Sequence, residues 1–205
     1  MIKKIISDFL ILFNLKVNWI YKKSQRDFSN AFFPRPSTMF VLLNNKKKKK
    51  LIGVEIGVFL GNNAESMLKT IPIKKLYLVD PYSMTGYKEY STSILSKTEK
   101  ISHKKLFKYK DKIKFIKMNS VDAARCLPND LDFVYIDGNH DYEFVKKDME
   151  IYYKKLKIGG VLSGHDVDNA NKEAFKGPLK AFLEFANKKK LEIYIHSPDW
   201  WVIKK

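Results

Sequence analysis

LIGVEIGVFLGNNAESMLKT, residues 51–70, decides the fold. Leu51 to Ile56 is a short apolar run that stops at Gly57, the pattern of a strand buried on both faces. Asn62 to Thr70 then reads as a helix. A strand that passes through a glycine turn into a helix opens a parallel α/β sheet. The alternation continues outward. KLYLVD (75–80) is a second strand, stopped by Pro81, and Ser93 to Tyr109 is a polar helix. KIKFIKM (112–118) is a third strand and Val121 to Leu127 a short helix. DFVYID (132–137) is a fourth strand, and Asp141 to Leu156 carries Phe144, Val145, Met149, Tyr152, Tyr153 and Leu156 at helical spacing. GGVLSGH (159–165) is a fifth strand, followed by a helix from Glu173 to Ala186. LEIYIHS and DWWVIKK close the chain as a hairpin-like pair around Ser197 and Pro198. The expected class is α/β: a doubly wound, mostly parallel seven-stranded sheet, Rossmann-like, with an antiparallel C-terminal strand.

At 205 residues the chain is long enough for one such domain and little more. Pro34 and Pro36 separate an N-terminal helical extension, residues 1–45, from the main domain, residues 46–205. The first stretch, MIKKIISDFLILFNLKVNWIYKK, has a basic start but is interrupted by Asp8 and Asn14. Its apolar run from Phe9 to Phe13 is too short to span a bilayer. It reads as one or two amphipathic helices, either packed on the domain or making a peripheral contact with the inner face of a membrane. A single cysteine, Cys126, excludes a disulfide framework and a cysteine-rich zinc site, and suits a cytoplasmic setting. A homo-oligomer is compatible with all of this.

The charge is +17, from 39 basic and 22 acidic residues. Such a charge permits attraction to nucleic acid, but the lysines fall where strands begin: Lys46 to Lys50, Lys74, Lys75, Lys112, Lys154, Lys155, Lys157 and Lys188 to Lys190. Ligands of an open α/β sheet bind at the other edge, where strands end. There the residues are Glu55 to Gly61, Asp80 to Tyr82, Asn119 and Ser120, Asp137 to Tyr142, and Ser163 to Asp168.

The glycine turn at that edge is neither a phosphate loop nor a dinucleotide fingerprint, which rules against a dehydrogenase. A wide turn beside an acid suits a ligand with a positive end and no phosphate, such as S-adenosylmethionine. Gly57 and Val58 would form the turn, Gly61 would permit close approach, and Glu55 would hold the positive end. Asp80 would accept both ribose hydroxyls, and Ser120 would meet the adenine edge. Asp137 and Asp166 end neighbouring strands about 5 Å apart, so two carboxylates there need positive charge between them; magnesium would supply it. His140 suits the general base for a hydroxyl acceptor, with Asp137 beside it. Asp141 is the expected N-cap of the next helix.

VEIGVFLGNNAESML (54–68), LVDPY (78–82) and FVYIDGNHDYEFVKKDMEIYYKKLKIGGVLSGHDV (133–167) resemble class I methyltransferases of the macrocin O-methyltransferase and cephalosporin-hydroxylase-like group. The resemblance implies methyl transfer to the hydroxyl of a small molecule, with a sugar or glycoconjugate first and a phenolic acceptor second. It implies Asp137 and Asp166 as metal ligands, with His165 at a position that is acidic in some metal-using relatives. It places Asn63 on the methionine-binding turn, where relatives often carry serine. Acceptor contacts are expected in loops 83–93 and 167–177. A nucleic-acid methyltransferase would want an Asn/Asp-Pro-Pro-aromatic turn where this chain has Asp137-Gly138-Asn139-His140, so nucleic acid is not the expected partner. A non-catalytic cofactor-binding protein associated with a membrane is the remaining alternative.

Overall fold

The computed structural model of the protein describes residues 17–19, 34–45, 50–83, 91–167 and 176–205. Its strands are β1 (Val17–Trp19), β2 (Leu51–Ile56), β3 (Ile73–Val79), β4 (Ile113–Ile116), β5 (Leu131–Ile136), β6 (Leu156–Gly164), β7 (Ile193–His196) and β8 (Asp199–Ile203). Its α-helices are α1 (Pro36–Asn44), α2 (Asn62–Thr70), α3 (Thr92–Leu106), α4 (Ser120–Ala123), α5 (Tyr142–Lys155) and α6 (Lys176–Lys188). The strands join in the order β1-β7-β8-β6-β5-β2-β3-β4. Every neighbouring pair is parallel except the two that β8 makes, with β6 and with β7.

That order fixes where a ligand sits. From β2 the chain winds outward through β3 and β4, then crosses back to β5 on the other side of β2. The winding reverses between β2 and β5, so a crevice opens beyond their carboxyl ends. The backbone ladder runs on past both strands: Gly57 N–H donates to the Val79 carbonyl, and Asp137 N–H to the Ile56 carbonyl, at 2.9 and 2.8 Å.

Alternation along each strand divides the core into two layers. Val54, Val134, Leu162 and Trp200 face one side with α5 and α6; Leu76, Phe133, Val161 and Trp201 face the other with α1 and α2. Adjacent residues such as Trp200 and Trp201 therefore fill opposite layers, as a pleat of period two requires.

The seven expected strands are all present, and the N-terminal region adds an eighth. Val17–Trp19, expected within a helix, is instead an edge strand parallel to β7. The rest of the expected N-terminal helix lies outside the described residues, as do Lys46 to Lys49 and most of the two acceptor loops. Residues 34–45 do not stand apart from the domain: Ser37, Thr38 and Val41 of α1 are buried against it. Asp141 precedes α5 but makes no capping hydrogen bond; its own N–H is held by the Asn139 side chain at 2.7 Å.

Gly53 of β2 and Phe133 of β5 are register partners, and a Cβ on Gly53 would run into the Phe133 ring. Gly53→Ala is therefore expected to cost about 1–3 kcal/mol of overpacking strain. In a Phe133→Leu background the same change should cost measurably less, because the obstructing ring is gone. Urea unfolding of the four proteins of this cycle decides it; strictly additive losses would show that the ring is not the obstacle.

Candidate active site

The turn after β2 is held by a carboxylate. Asp80, at the end of β3, is buried, with 1% of its surface exposed. One of its oxygens accepts the Val58 and Phe59 N–H groups, each at 2.9 Å, and the other accepts the Tyr82 N–H at 2.8 Å. Phe59 and Tyr82 both have positive φ, a conformation costly for aromatic residues and held here by those hydrogen bonds. Burial raises the Asp80 pKa, and the three N–H donors work against that rise. A carboxylate offers about four lone-pair sites, so Asp80 has room for one further donor where two ribose contacts were expected. Val58, expected as a ligand contact, gives its N–H to Asp80 and buries its side chain in the core.

The two glycines of the turn differ in purpose. Gly57 has φ +84, and a Cβ there would collide with the Asp137 carbonyl; the ends of β2 and β5 meet backbone to backbone. Gly61, expected to admit a ligand, has φ +73 and instead turns its open side toward Leu106 and Ser102 of α3.

Beneath this turn lies a cradle of unpaired acceptors. Glu55 on β2 is 1% exposed. Its Oε1 accepts from Asn63 Nδ2 at 2.9 Å, while Glu55 Oε2 and Asn63 Oδ1 are buried without hydrogen-bond partners. Burial pushes the Glu55 pKa up to about 8; the Asn63 bond lowers it and the charge of Asp137 raises it. Two neighbouring buried acceptors call for a ligand that brings N–H donors and positive charge. An ammonium group meets both needs, so the residues present fit the amino-acid end of S-adenosylmethionine. Asn63 is thus a direct partner of Glu55.

A cleft of about 350 Å³ adjoins the turn, lined in part by Gly57, Pro81, Ser120, Gly138, Phe144 and Asp148. Ser120 stands at its wall, with its carbonyl held by the Tyr152 hydroxyl at 2.7 Å. Asp148, from α5, was not anticipated. It is buried, its Oδ1 has no partner, and burial raises its pKa to about 6 against the opposing bond from the Ser120 hydroxyl. A polar residue at position 148, between Val145 and Met149 on a helix that otherwise buries apolar groups, was the available sequence signal.

The catalytic edge gathers side chains from five segments. Asp137, His140 and Asp166 offer ligand atoms that all lie within 4.8 Å of one another. His140 Nε2 lies 2.8 Å from Asp166 Oδ2. Burial lowers the His140 pKa, but the hydrogen bond and charge of Asp166 outweigh it and the net direction is up. Asp166 has φ +67, a conformation tolerated by aspartate, and this turns its carboxylate back toward His140. Asp137 is raised by burial and by Asp166, opposed by His165 and Arg35. His165, expected with the metal ligands, stands outside that cluster. Its Nδ1 lies 3.0 Å from Asp199 Oδ1 and its Nε2 3.9 Å from Asp166.

Two further residues were missed by the sequence reading. Asp199 is fully buried and accepts from Ser37 N–H, the Ser37 hydroxyl (2.6 Å) and the Tyr135 hydroxyl (3.1 Å) as well as His165. Arg35 reaches in from the start of α1. Its Nη1 lies 2.7 Å from the His165 ring nitrogens and its Nη2 3.9 Å from Asp137 Oδ2. Burial would lower the Arg35 pKa, but the charges of Tyr135, Asp137, Asp199 and Asp166 raise it overall. The signal was compositional: the chain has three arginines among 39 basic residues, and this one stands in Pro34-Arg35-Pro36.

Residues 54–167, more than half of the chain, match a family model described as a methyltransferase domain. An uncharacterized protein of Acanthamoeba polyphaga mimivirus is 32% identical over 126 residues, covering 59% of this chain and 53% of its own length. The match thus spans about half of that curated relative. Among solved structures, a Staphylococcus aureus protein assigned as a caffeoyl-CoA O-methyltransferase superposes with a TM-score of 0.62 at 13% identity, covering 98% of this chain and 91% of its own. The O-methyltransferase NovP gives 0.59 at 17% identity, with 82% and 77% covered. An rRNA methylase from Streptococcus thermophilus gives 0.58 at 14% identity, with 83% and 98% covered. Likeness at these identities shows the fold.

Because Glu55 has a raised pKa, it is protonated in the free protein at pH 7 and must ionise to pair with an ammonium. Binding of S-adenosylhomocysteine at pH 7 is therefore expected to release about one proton. Affinity should rise with pH toward 8 and level off above it. Calorimetry in buffers of different ionisation enthalpy measures the release, and Glu55→Gln should abolish it while weakening binding. Binding heats that do not depend on the buffer would remove Glu55 from the ammonium site.

Proposed function

The chain belongs to the methyltransferase-domain family, and from this premise we propose that it transfers the methyl group of S-adenosylmethionine to a hydroxyl oxygen of a small molecule. Within the family we place it near the macrocin O-methyltransferase and cephalosporin-hydroxylase-like group, with a sugar or glycoconjugate as first acceptor and a phenol as second. The observation that carries the reading is the His140–Asp166 pair, set past the ends of β5 and β6 at the same edge of the sheet as the unpaired acceptors of Glu55 and Asn63.

Glu55 and Asn63 would hold the amino-acid end, Asp80 one ribose hydroxyl, and Ser120 with Asp148 the adenine edge. Bound there, the cofactor supplies an electrophilic methyl group on a positively charged sulfur. The protein's task is at the acceptor oxygen. The new oxygen–carbon bond forms as the sulfur–carbon bond breaks, its electron pair stays on sulfur, and the hydroxyl proton must leave. His140 takes it. With Nε2–H donated to Asp166, the lone pair lies on Nδ1, and Asp166 then stabilises the imidazolium that results. Asp137 accepts a hydrogen bond from a second hydroxyl of the acceptor, next to the reacting one, and orients it.

Magnesium does not fit this edge well. The converging set is two carboxylates and an imidazole, whereas magnesium prefers oxygen ligands throughout. His165, the third residue expected to bind it, is engaged with Asp199. No step is therefore routed through a metal.

The exposed free thiol of Cys126 agrees with a reducing, cytoplasmic setting. No helix among the described residues is long and apolar enough to cross a membrane. Peripheral attachment through the first residues is kept as a proposal, since that segment lies outside the described residues.

The base sets the pH dependence. A neutral His140 is needed, and its pKa is raised above its ordinary value. The rate constant kcat/KM should therefore climb with pH through a pKa above 6.5 and then level. His140→Gln should lower it about 10²–10⁴-fold and abolish that climb, leaving S-adenosylhomocysteine affinity nearly unchanged. Assays with S-adenosylmethionine and a panel of sugars and phenols test this; methylation confined to amines or to RNA would overturn the proposal.

A further inference from the structure

Three carboxylates, those of Asp137, Asp166 and Asp199, converge at the ends of β5 and β6 and the start of β8. Such a group needs nearby positive charge, or its pKa values rise until a proton is taken up. The chain provides that charge from a distant segment. Arg35 precedes a proline, which pushes its backbone to the extended region, and it is found there with φ −56 and ψ 150. Pro36 opens α1, and Ser37 pins that helix to Asp199 through both its N–H and its hydroxyl. The guanidinium is thereby aimed between Asp137 and the His165 ring, with its side chain 30% exposed at the site mouth.

We propose that Arg35 is the resident cation of the acceptor site, doing for Asp137 and the acceptor oxygen what a divalent ion would do, so that transfer is metal-independent. The guanidinium has five N–H donors in a fixed fork, so it can serve the His165 ring and still donate to an acceptor oxygen. Placed there, it offsets the negative charge that grows on that oxygen as its proton leaves for His140. A corollary concerns the cluster of Asp137, His140 and Asp166. While Arg35 is present, a second cation is repelled. Once Arg35 is removed, the carboxylates of Asp137 and Asp166 lose its charge, and with the His140 imidazole they form a donor set that suits manganese(II).

The inference rests on the reading of this edge as the methyl-transfer site, but its readout is independent of turnover. Manganese(II) is titrated into the full-length chain and the free ion is followed by electron paramagnetic resonance, with S-adenosylhomocysteine binding as the control for folding. Wild type is expected to bind no ion at millimolar concentration. Arg35→Met and Arg35→Gln are expected to gain one ion per chain, lost again when Asp166→Asn is added. Arg35→Lys, which keeps the charge, should behave as wild type and serves as the deciding variant if the neutral ones fail to fold. A wild-type ion site that Asp166→Asn removes would overturn the proposal. So would neutral variants that bind S-adenosylhomocysteine but no ion, or an Arg35→Lys protein that binds manganese. If wild type fails to bind S-adenosylhomocysteine, the cofactor reading falls while the manganese titration still decides the role of Arg35.

Discussion

The meeting of Arg35 with Asp137, His165 and Asp199 ties the molecule together. Carboxylates at the carboxyl edge of a parallel sheet lie close because the strands do, and their mutual repulsion has to be offset inside the fold. Two imidazoles share in this, but among the described residues the cation there that does not titrate near neutrality is Arg35. Its supply explains why α1 lies where it does. Ser37 bonds to the buried Asp199, Val41 enters the core beside Leu51 and Trp201, and the region before the main domain becomes part of the site. A partly exposed ion pair at 3.9 Å stabilises little by itself, since solvent screens it. Its consequence is specificity of arrangement: α1 has one docking position that satisfies both Arg35 and Asp199.

The half of the edge proposed for the cofactor is built differently. Its shape comes from backbone, fixed by one carboxylate. Asp80 gathers N–H groups from both sides of the crevice, Val58 and Phe59 on the β2 turn and Tyr82 on the β3 turn. Gly57 allows the β2 and β5 ends to touch. Glu55 is then left deep in the crevice, its Oε2 without a partner. Glu55 Oε2, kept neutral at pH 7 by burial, and Asn63 Oδ1 are left unsatisfied in the free protein, and an ammonium bound to the ionised Glu55 would relieve both.

Much of this was legible in the sequence. Short apolar runs mark the seven main strands, three of them stopping at Gly57, Asp80 and Asp137, and a doubly wound sheet follows from strand–helix alternation and right-handed crossovers. The same topology selected Glu55, Asp80, Ser120, Asp137, His140 and Asp166 as edge residues. The missed parts share one physical cause: they depend on contacts between segments far apart in sequence. Val17–Trp19 is a strand only because β7 offers an open edge. Arg35 meets His165 across 130 positions, and Ser37 meets Asp199 across 162. Periodicity and local motif carry no record of such pairings. For the same reason Gly61 was assigned to a ligand when its neighbour is Leu106, and Asp80 was given two ribose contacts when most of its lone pairs are taken by its own chain.

The two halves of the edge therefore differ in how freely they can change. The cofactor half is fixed by backbone conformations that few residues tolerate: φ +84 at Gly57, positive φ at Phe59 and Tyr82, and the buried Asp80 that supports them. Altering any one of these disturbs the others, because they share hydrogen bonds. The acceptor half is made of side chains delivered separately by α1, the β5 end, the turn before α5, the β6 end and β8. Arg35, Asp137, His140 and His165 are not tied to a positive φ, whereas Asp166, at φ +67, and the fully buried Asp199 are constrained in their own right. If the two halves serve cofactor and acceptor as proposed, such a division would let one sheet keep a single cofactor while its acceptor site varies, with the positive member of the charge group the natural point of variation. A metal or an arginine can fill that role, and the choice between them rests on whether a neighbouring segment can reach the edge.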